Sequence, residues 1–178
     1  CPKKEKDRFT RMCHDCVVEN KPPDDAGGWI ECDGQGGFRV RTPTPKGDGT
    51  RDDIWIKVQI GCGINACREL HETRHMRQFG LACPDICKGK PEGGYVNFKA
   101  AGCVKDAECF AYQTDLSCLY KLQEQYDKED KFVEGVSCKK SVDYVIKAKL
   151  PRWDFYECQK RGFGPAPQPP RKEPTPGK

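Results

Sequence analysis

His71-Glu72-Thr73-Arg74-His75 sets two imidazoles four residues apart with a carboxylate next to the first. On an α-helix, residues i and i+4 lie one above the other, so both rings point at one spot. That spot suits Zn²⁺, which takes neutral imidazole nitrogen at about 2.0–2.1 Å. Glu72 is turned about 100° around the axis from His71. From there its carboxylate reaches a water on the metal without ligating the metal. Zinc lowers the pKa of such a water towards about 7. Glu72 is then placed to take the proton and pass it to a leaving amine. Two of the chain's three histidines fall in this pattern.

A catalytic zinc needs a third protein ligand and one open position. The remaining histidine, His14, lies in Cys13-His14-Asp15-Cys16, in a polar N-terminal stretch. A second helix offers a better candidate. Glu108, Tyr112, Asp115, Leu119, Leu122 and Tyr126 follow three-four spacing, and the apolar members mark their shared face as core. Glu108 therefore points inward, where an ionised carboxylate needs a partner. Zinc is one such partner; Arg68, Arg74 or Arg77 would be the alternative. Asp115, on the same face, is placed to orient a ligand histidine through its ring N–H, or to be the third ligand itself.

These side chains need elements to hold them. The first helix is expected over 65–79, with Asn65 at the N-cap and Gly80 just past its end. On its wheel Ile64, Cys67, His71, His75 and Gln78 share a face, so the histidines lean inward. The second helix is expected over about 104–126. Residues 54–60 (Ile-Trp-Ile-Lys-Val-Gln-Ile) alternate in part and predict a strand. Residues 28–32 and 38–42, around Asp33-Gly34-Gln35-Gly36-Gly37, predict a hairpin. That glycine-rich turn lacks the Lys-Ser/Thr ending and following helix of a phosphate loop. Residues 43–51 and 81–102 read as loops, the latter cross-linked through Cys83 and Cys87. Residues 141–150 are short helix or strand, ended by Pro151. The fold class is α+β: a short sheet packed on the motif helix and a second long helix, cross-linked by disulfides.

Three segments follow: a disulfide-pinned irregular arm over 1–27, a catalytic domain over 28–161, and a proline-rich flexible tail over 162–178. Thirteen cysteines in 178 residues point to an oxidising compartment, secreted or periplasmic, where cross-links supplement a small core. Cys13-x-x-Cys16 with Cys83 and Cys87 would make a structural zinc site in a cytosolic protein; at this density disulfides are the better reading. Cys67, Cys103 and Cys109 are expected to tether the two helices to loops. Thirteen is odd, which leaves one thiol over. Cys1, at the very start, is the candidate, for a lipid anchor, another chain or a free thiol. The chain starts at Cys1 and shows no signal peptide, so it reads as a processed product or an excised domain. The net charge of +4 comes from basic residues interleaved with acids, which speaks against nucleic-acid binding. No stretch approaches a membrane span.

Residues 53–126 resemble the zincin metallopeptidases, and among them the gluzincins. The resemblance implies His71, His75 and Glu108 as zinc ligands, Glu72 as general base, and 54–60 as the edge strand that pairs with an extended peptide substrate. It also implies a Tyr, His or Arg that stabilises the oxyanion: Tyr112, one turn beyond Glu108, or Tyr95. Tyr112 stands where gluzincins usually have an acidic or polar residue. No histidine follows His75, which excludes the metzincin pattern. The chain is also similar to small cysteine-rich H-E-x-x-H domains of bacterial secreted proteins and toxins. The expected activity is zinc-dependent hydrolysis of peptide bonds in a protein substrate, with a secreted toxin as one form of it. The rival is a non-catalytic, disulfide-rich binding module in which the helix histidines are structural.

Overall fold

A computed structural model describes residues 2–22 and 27–169. The N-terminal stretch expected to be irregular holds a helix, α1 (Pro2–Met12), and a strand, β1 (Cys16–Glu19). The hairpin forms as read, with β2 (Trp29–Cys32) and β3 (Phe38–Arg41) in antiparallel register from Trp29↔Arg41 to Cys32↔Phe38. Its turn is closed by the Asp33 carboxylate, which accepts from the backbone of Gln35 (2.7 Å) and Gly37 (2.8 Å).

Residues 54–60 form no strand; they lie inside α2 (Arg51–Gly61). The side chain of Thr50 caps this helix by accepting from Asp53 N, and Asp52 and Asp53 sit in its positive first turn. Lys57 pairs with Asp53 at 2.9 Å, one turn on. These N-terminal signals outweigh the β-branched alternation of the isoleucines. Ile54 and Ile60 are exposed, and Val58 is buried.

The motif helix α3 spans Ile64–Ala82, three residues longer than expected at its C-terminal end. Gly63 stands at its N-cap in the left-handed region (φ 73°), which lets the chain turn sharply between α2 and α3 without a Cβ clash. Asn65 is inside the helix, and its amide donates to Thr42 and Glu69. Gly80 is also inside, because Phe79 and Ala82 are held in the core and Cys83 anchors the exit.

A fourth strand, β4 (Tyr95–Phe98), lies within the expected loop 81–102 and pairs with β1 along its length. The sheet is antiparallel, in the order β1-β4-β2-β3. The long helix α4 runs Ala101–Lys128. After the small hairpin β5 (Phe132–Val133) and β6 (Val136–Ser137), α5 runs Cys138–Phe155. Ser137 caps α5 by accepting from Lys140 N. Pro151 does not end α5. The helix continues one turn, carrying Trp153 into the core, where only 2 % of it stays exposed. The chain then makes a wide turn over Gln159–Phe163, and the start of the proline-rich tail is seated through Phe163, edge-on to Phe110. The rest of that tail, 170–178, lies outside the described residues.

One core cluster fills the space between α2, α3, α4 and α5; a second lies between α1, the sheet, and the other sides of α3 and α4. The motif helix is thus buried between two cores. All twelve described cysteines pair: Cys13–Cys103, Cys16–Cys83, Cys32–Cys87, Cys62–Cys138, Cys67–Cys118 and Cys109–Cys158. This pairing leaves Cys13, Cys16, Cys83 and Cys87 no part in a structural metal site. Cys67 is bonded to α4 itself, not to a loop, because α3 and α4 pack side by side. Cys1, the odd thiol, lies outside the described residues. Among the described residues no helix is long and apolar enough to cross a membrane.

The Cys67–Cys118 bond closes a span of 51 residues between the two long helices. On the chain-entropy account such a closure is worth about 4 kcal/mol. A Cys67→Ser/Cys118→Ser variant is expected to unfold at clearly lower guanidinium concentration. An unchanged midpoint would mean that the helix packing alone supplies the stability.

Candidate metal centre

α3 and α4 bring three donor groups to one point. His71 and His75 face each other through their Nε2 atoms at 3.1 Å. The Glu108 carboxylate stands 3.5 Å from His71 Nε2 and 3.6 Å from His75 Nε2. His71, His75 and Glu108 can each offer a ligand atom to one metal ion, with all three atoms within 4.8 Å of one another. The histidine side chains keep 9 % and 11 % of their exposure and Glu108 keeps 21 %, so the cluster opens towards solvent on the Glu108 side.

Each histidine has a polar side chain behind its other ring nitrogen, hydrogen-bonded at His75 and at ion-pair distance at His71. Gln78 donates its amide N–H to Glu5 (2.9 Å), which turns its carbonyl oxygen to His75 Nδ1 at 3.0 Å. His75 therefore donates from Nδ1 and keeps its lone pair on Nε2. Glu5 is fixed in turn by Arg74, at 2.6 and 2.5 Å. On the other histidine, Asp115 faces His71 Nδ1 at 3.6 Å and is itself held by Lys149 at 2.5 Å. Asp115 thus lies behind His71, on its Nδ1 side, outside the group formed by His71, His75 and Glu108. Arg74 and Arg68 make no ion pair with Glu108. His14 contacts the Ala82 carbonyl at 3.3 Å, away from the cluster.

The electrostatics follow from this packing. Burial, the largest single influence, pushes His71 down, but Asp115 and Glu108 together raise it to about 9. Burial would raise Glu108 and Asp115; the histidines hold Glu108, and His71 with Lys149 hold Asp115, below the usual carboxylate range. A metal ion entering the cluster has to displace the His71 proton, so uptake releases protons and strengthens with pH.

Glu72 is buried beside His71, and its position depends on a glycine. A Cβ on Gly28, just before β2, would lie 2.7 Å from Glu72 Cγ and 2.8 Å from its Oε1. Two cavities meet at Glu72, His71 and Glu108. One, of about 90 Å³, runs under Trp29 and Ile30 of β2 and Val96 and Phe98 of β4. The other, of about 280 Å³, is walled by Arg68, Tyr112, Lys149, Arg152 and Tyr156, and Tyr95 lines both. Tyr112 packs its ring edge-on against His71 (4.9 Å) and stacks on Tyr156 (5.7 Å). Burial pushes the Tyr112 hydroxyl far up and that of Tyr95 up to about 12, so both remain proton donors at neutral pH.

His71, Glu72, His75, Glu108 and Tyr112 thus line one site, with Asp115 behind His71 and Leu119, Leu122 and Tyr126 in the core. Sequence reading missed Gln78 as the support of His75, although it lies on the motif face, and missed Glu5 and Gly28. No local pattern marks Glu5, which is 70 residues from His75 in the chain. Family models, curated proteins and solved structures were compared with this chain, and none matches it.

If the group holds a metal ion, a divalent cation such as zinc, used as the probe, is expected to raise the melting temperature at near one ion per chain. His71→Ala should abolish that uptake. Gln78→Leu should weaken it by about 10–100-fold through loss of the His75 support. Chelator competition on folded protein measures both, and unchanged affinity in His71→Ala would place the ion elsewhere.

Proposed function

We propose that this chain is a zinc-dependent metallopeptidase of gluzincin type, with His71, His75 and Glu108 as the metal ligands. The carrying observation is the convergence of the three donors. Ligand atoms bound tetrahedrally at about 2.0–2.1 Å stand about 3.3 Å apart; here the two histidine nitrogens stand 3.1 Å apart, Glu108 reaches His71 with Oε2 (3.5 Å) and His75 with Oε1 (3.6 Å), and one atom from each residue lies within 4.8 Å of the others. Two imidazole nitrogens, once His71 has lost its proton, and one carboxylate also match the donor set of catalytic zinc, which leaves a position open.

When bound, zinc supplies Lewis acidity, which polarises a carbonyl and acidifies a water. The chain's own residues do the rest. Glu72, steered by Gly28, takes the proton of the attacking water and returns it to the leaving amine. The Tyr112 hydroxyl, kept protonated, donates to the oxygen that gains negative charge. Gln78 and Asp115 keep the rings of His75 and His71 aimed.

The substrate cannot dock on an edge strand at 54–60, since that segment is helical. β2 and β4 are the better platform. They pair in register only at Glu31↔Tyr95, and the ladder goes no further towards Trp29 and Phe98. There the Phe98 N–H is taken by the Asn97 side chain (2.8 Å). A peptide laid along this opening passes over Glu72 and Glu108. Six disulfides support a protein that works in an oxidising compartment, secreted or periplasmic.

Glu72→Gln should fold and bind zinc as the wild type does, yet lose about 10²–10⁴-fold in peptide cleavage. Retained cleavage would refute the mechanism. Gly28→Ala should keep zinc and lower the turnover number by displacing Glu72; full activity in that variant would show that the contact does not steer the base. Both are read with a fluorogenic peptide library on zinc-loaded protein.

A further inference from the structure

The wall of the larger cavity carries charge that the mechanism above does not use. Arg68 stands on α3 three residues before His71, and its guanidinium lies against Gly27, where a Cβ would come within 3.3 Å of Nε. Burial holds Arg68 below its usual value, against the pull of Asp115 and Glu72. Arg68 and Glu72 are four apart, a spacing that ordinarily pairs. Glu72 is instead turned to Gly28, and among the described residues Arg68 has no hydrogen bond or ion pair. Arg152 borders the same cavity from α5, over the ring of Phe155 (5.9 Å), and likewise has no carboxylate within ion-pair reach among the described residues. Lys149, the third cation there, is already committed to Asp115.

A divalent ion at the centre offsets Glu72 and Glu108. The two guanidiniums are then left facing the cavity with no compensating anion among the described residues. A half-buried guanidinium without a partner is costly, and its planar fork matches a carboxylate in bidentate geometry.

We propose that Arg68 and Arg152 form a carboxylate-binding subsite beside the metal centre, so that the bond cleaved lies next to a carboxylate of the substrate. This rests on the peptidase reading. The carboxylate has two sources, an Asp or Glu side chain or the C-terminus of the peptide.

The test compares kcat/KM on zinc-loaded protein for peptide pairs that differ by Glu against Gln, and by free acid against C-terminal amide. At least a tenfold preference is expected in one comparison, and the comparison that shows it names the source. The preference should fall below about twofold in Arg68→Gln. It should also shrink in Arg152→Gln, an exposed position whose change leaves the core alone. Cleavage with equal rates in both comparisons overturns the subsite and leaves the peptidase reading standing. If no peptide is cleaved, the peptidase reading fails and binding decides the subsite. Succinic monohydroxamate and its neutral amide analogue are then titrated by calorimetry into zinc-loaded protein. Tenfold tighter binding of the acid, lost in Arg68→Gln, upholds the subsite. Equal affinities, or no binding of either probe, overturn it.

Discussion

The i, i+4 geometry of His71 and His75 is the constraint to which the rest of this structure answers. Two imidazoles aimed at one point from a single helix must be buried enough to stay fixed and open enough to be reached. A helix that shows one face to a core and the other to solvent would meet only half of that demand. α3 meets both by lying between two cores, with its histidine face turned to α4 and to the cavities at the sheet. Burial has a cost for every charged group it encloses, and three of the buried carboxylates around the site have an ionic or imidazole partner. Glu108 meets the histidines, Asp115 meets Lys149, and Glu5 meets Arg74.

The disulfides serve the same constraint. A chain with a third of its residues charged has limited apolar surface with which to fix helices against one another. Cys67–Cys118 joins the helix of the histidines to the helix of Glu108, four residues before His71 on one and ten residues after Glu108 on the other. Cys109–Cys158 holds the next residue after Glu108, and Cys13–Cys103 fixes the start of α4 to the end of α1, the helix that supplies Glu5. The three candidate donor groups are therefore placed by covalent cross-links as much as by packing.

The site also shows how a buried carboxylate, the base of the proposed reaction, is kept from pairing with its natural neighbour. Arg68 lies at salt-bridge spacing from Glu72, yet the carboxylate is drawn to the small space above Gly28. A paired Glu72 would be a poor proton acceptor. Unpaired, it stays available, and the guanidinium is released to face the cavity.

What was legible in the sequence was whatever depends on spacing along one helix. The H-E-x-x-H pattern put His71, His75 and Glu72 on α3. Three-four periodicity put Glu108, Tyr112 and Asp115 on one face of α4, and Gly-rich punctuation marked the β2–β3 hairpin. These are local rules, enforced by backbone geometry within a few turns. What failed locally was residues 54–60, where alternation favoured a strand and the Thr50 cap and the first-turn aspartates favoured a helix; propensity cannot weigh such signals without the packing around them. The end of α5 failed for a related reason, because Trp153 is anchored in the core beyond Pro151. The role of Asp115, the Gln78–Glu5–Arg74 chain, the Gly28 contact, the order of the sheet and the cysteine pairing were decided only by tertiary structure. Each joins residues far apart in the chain, and no periodicity reports which distant surfaces will meet.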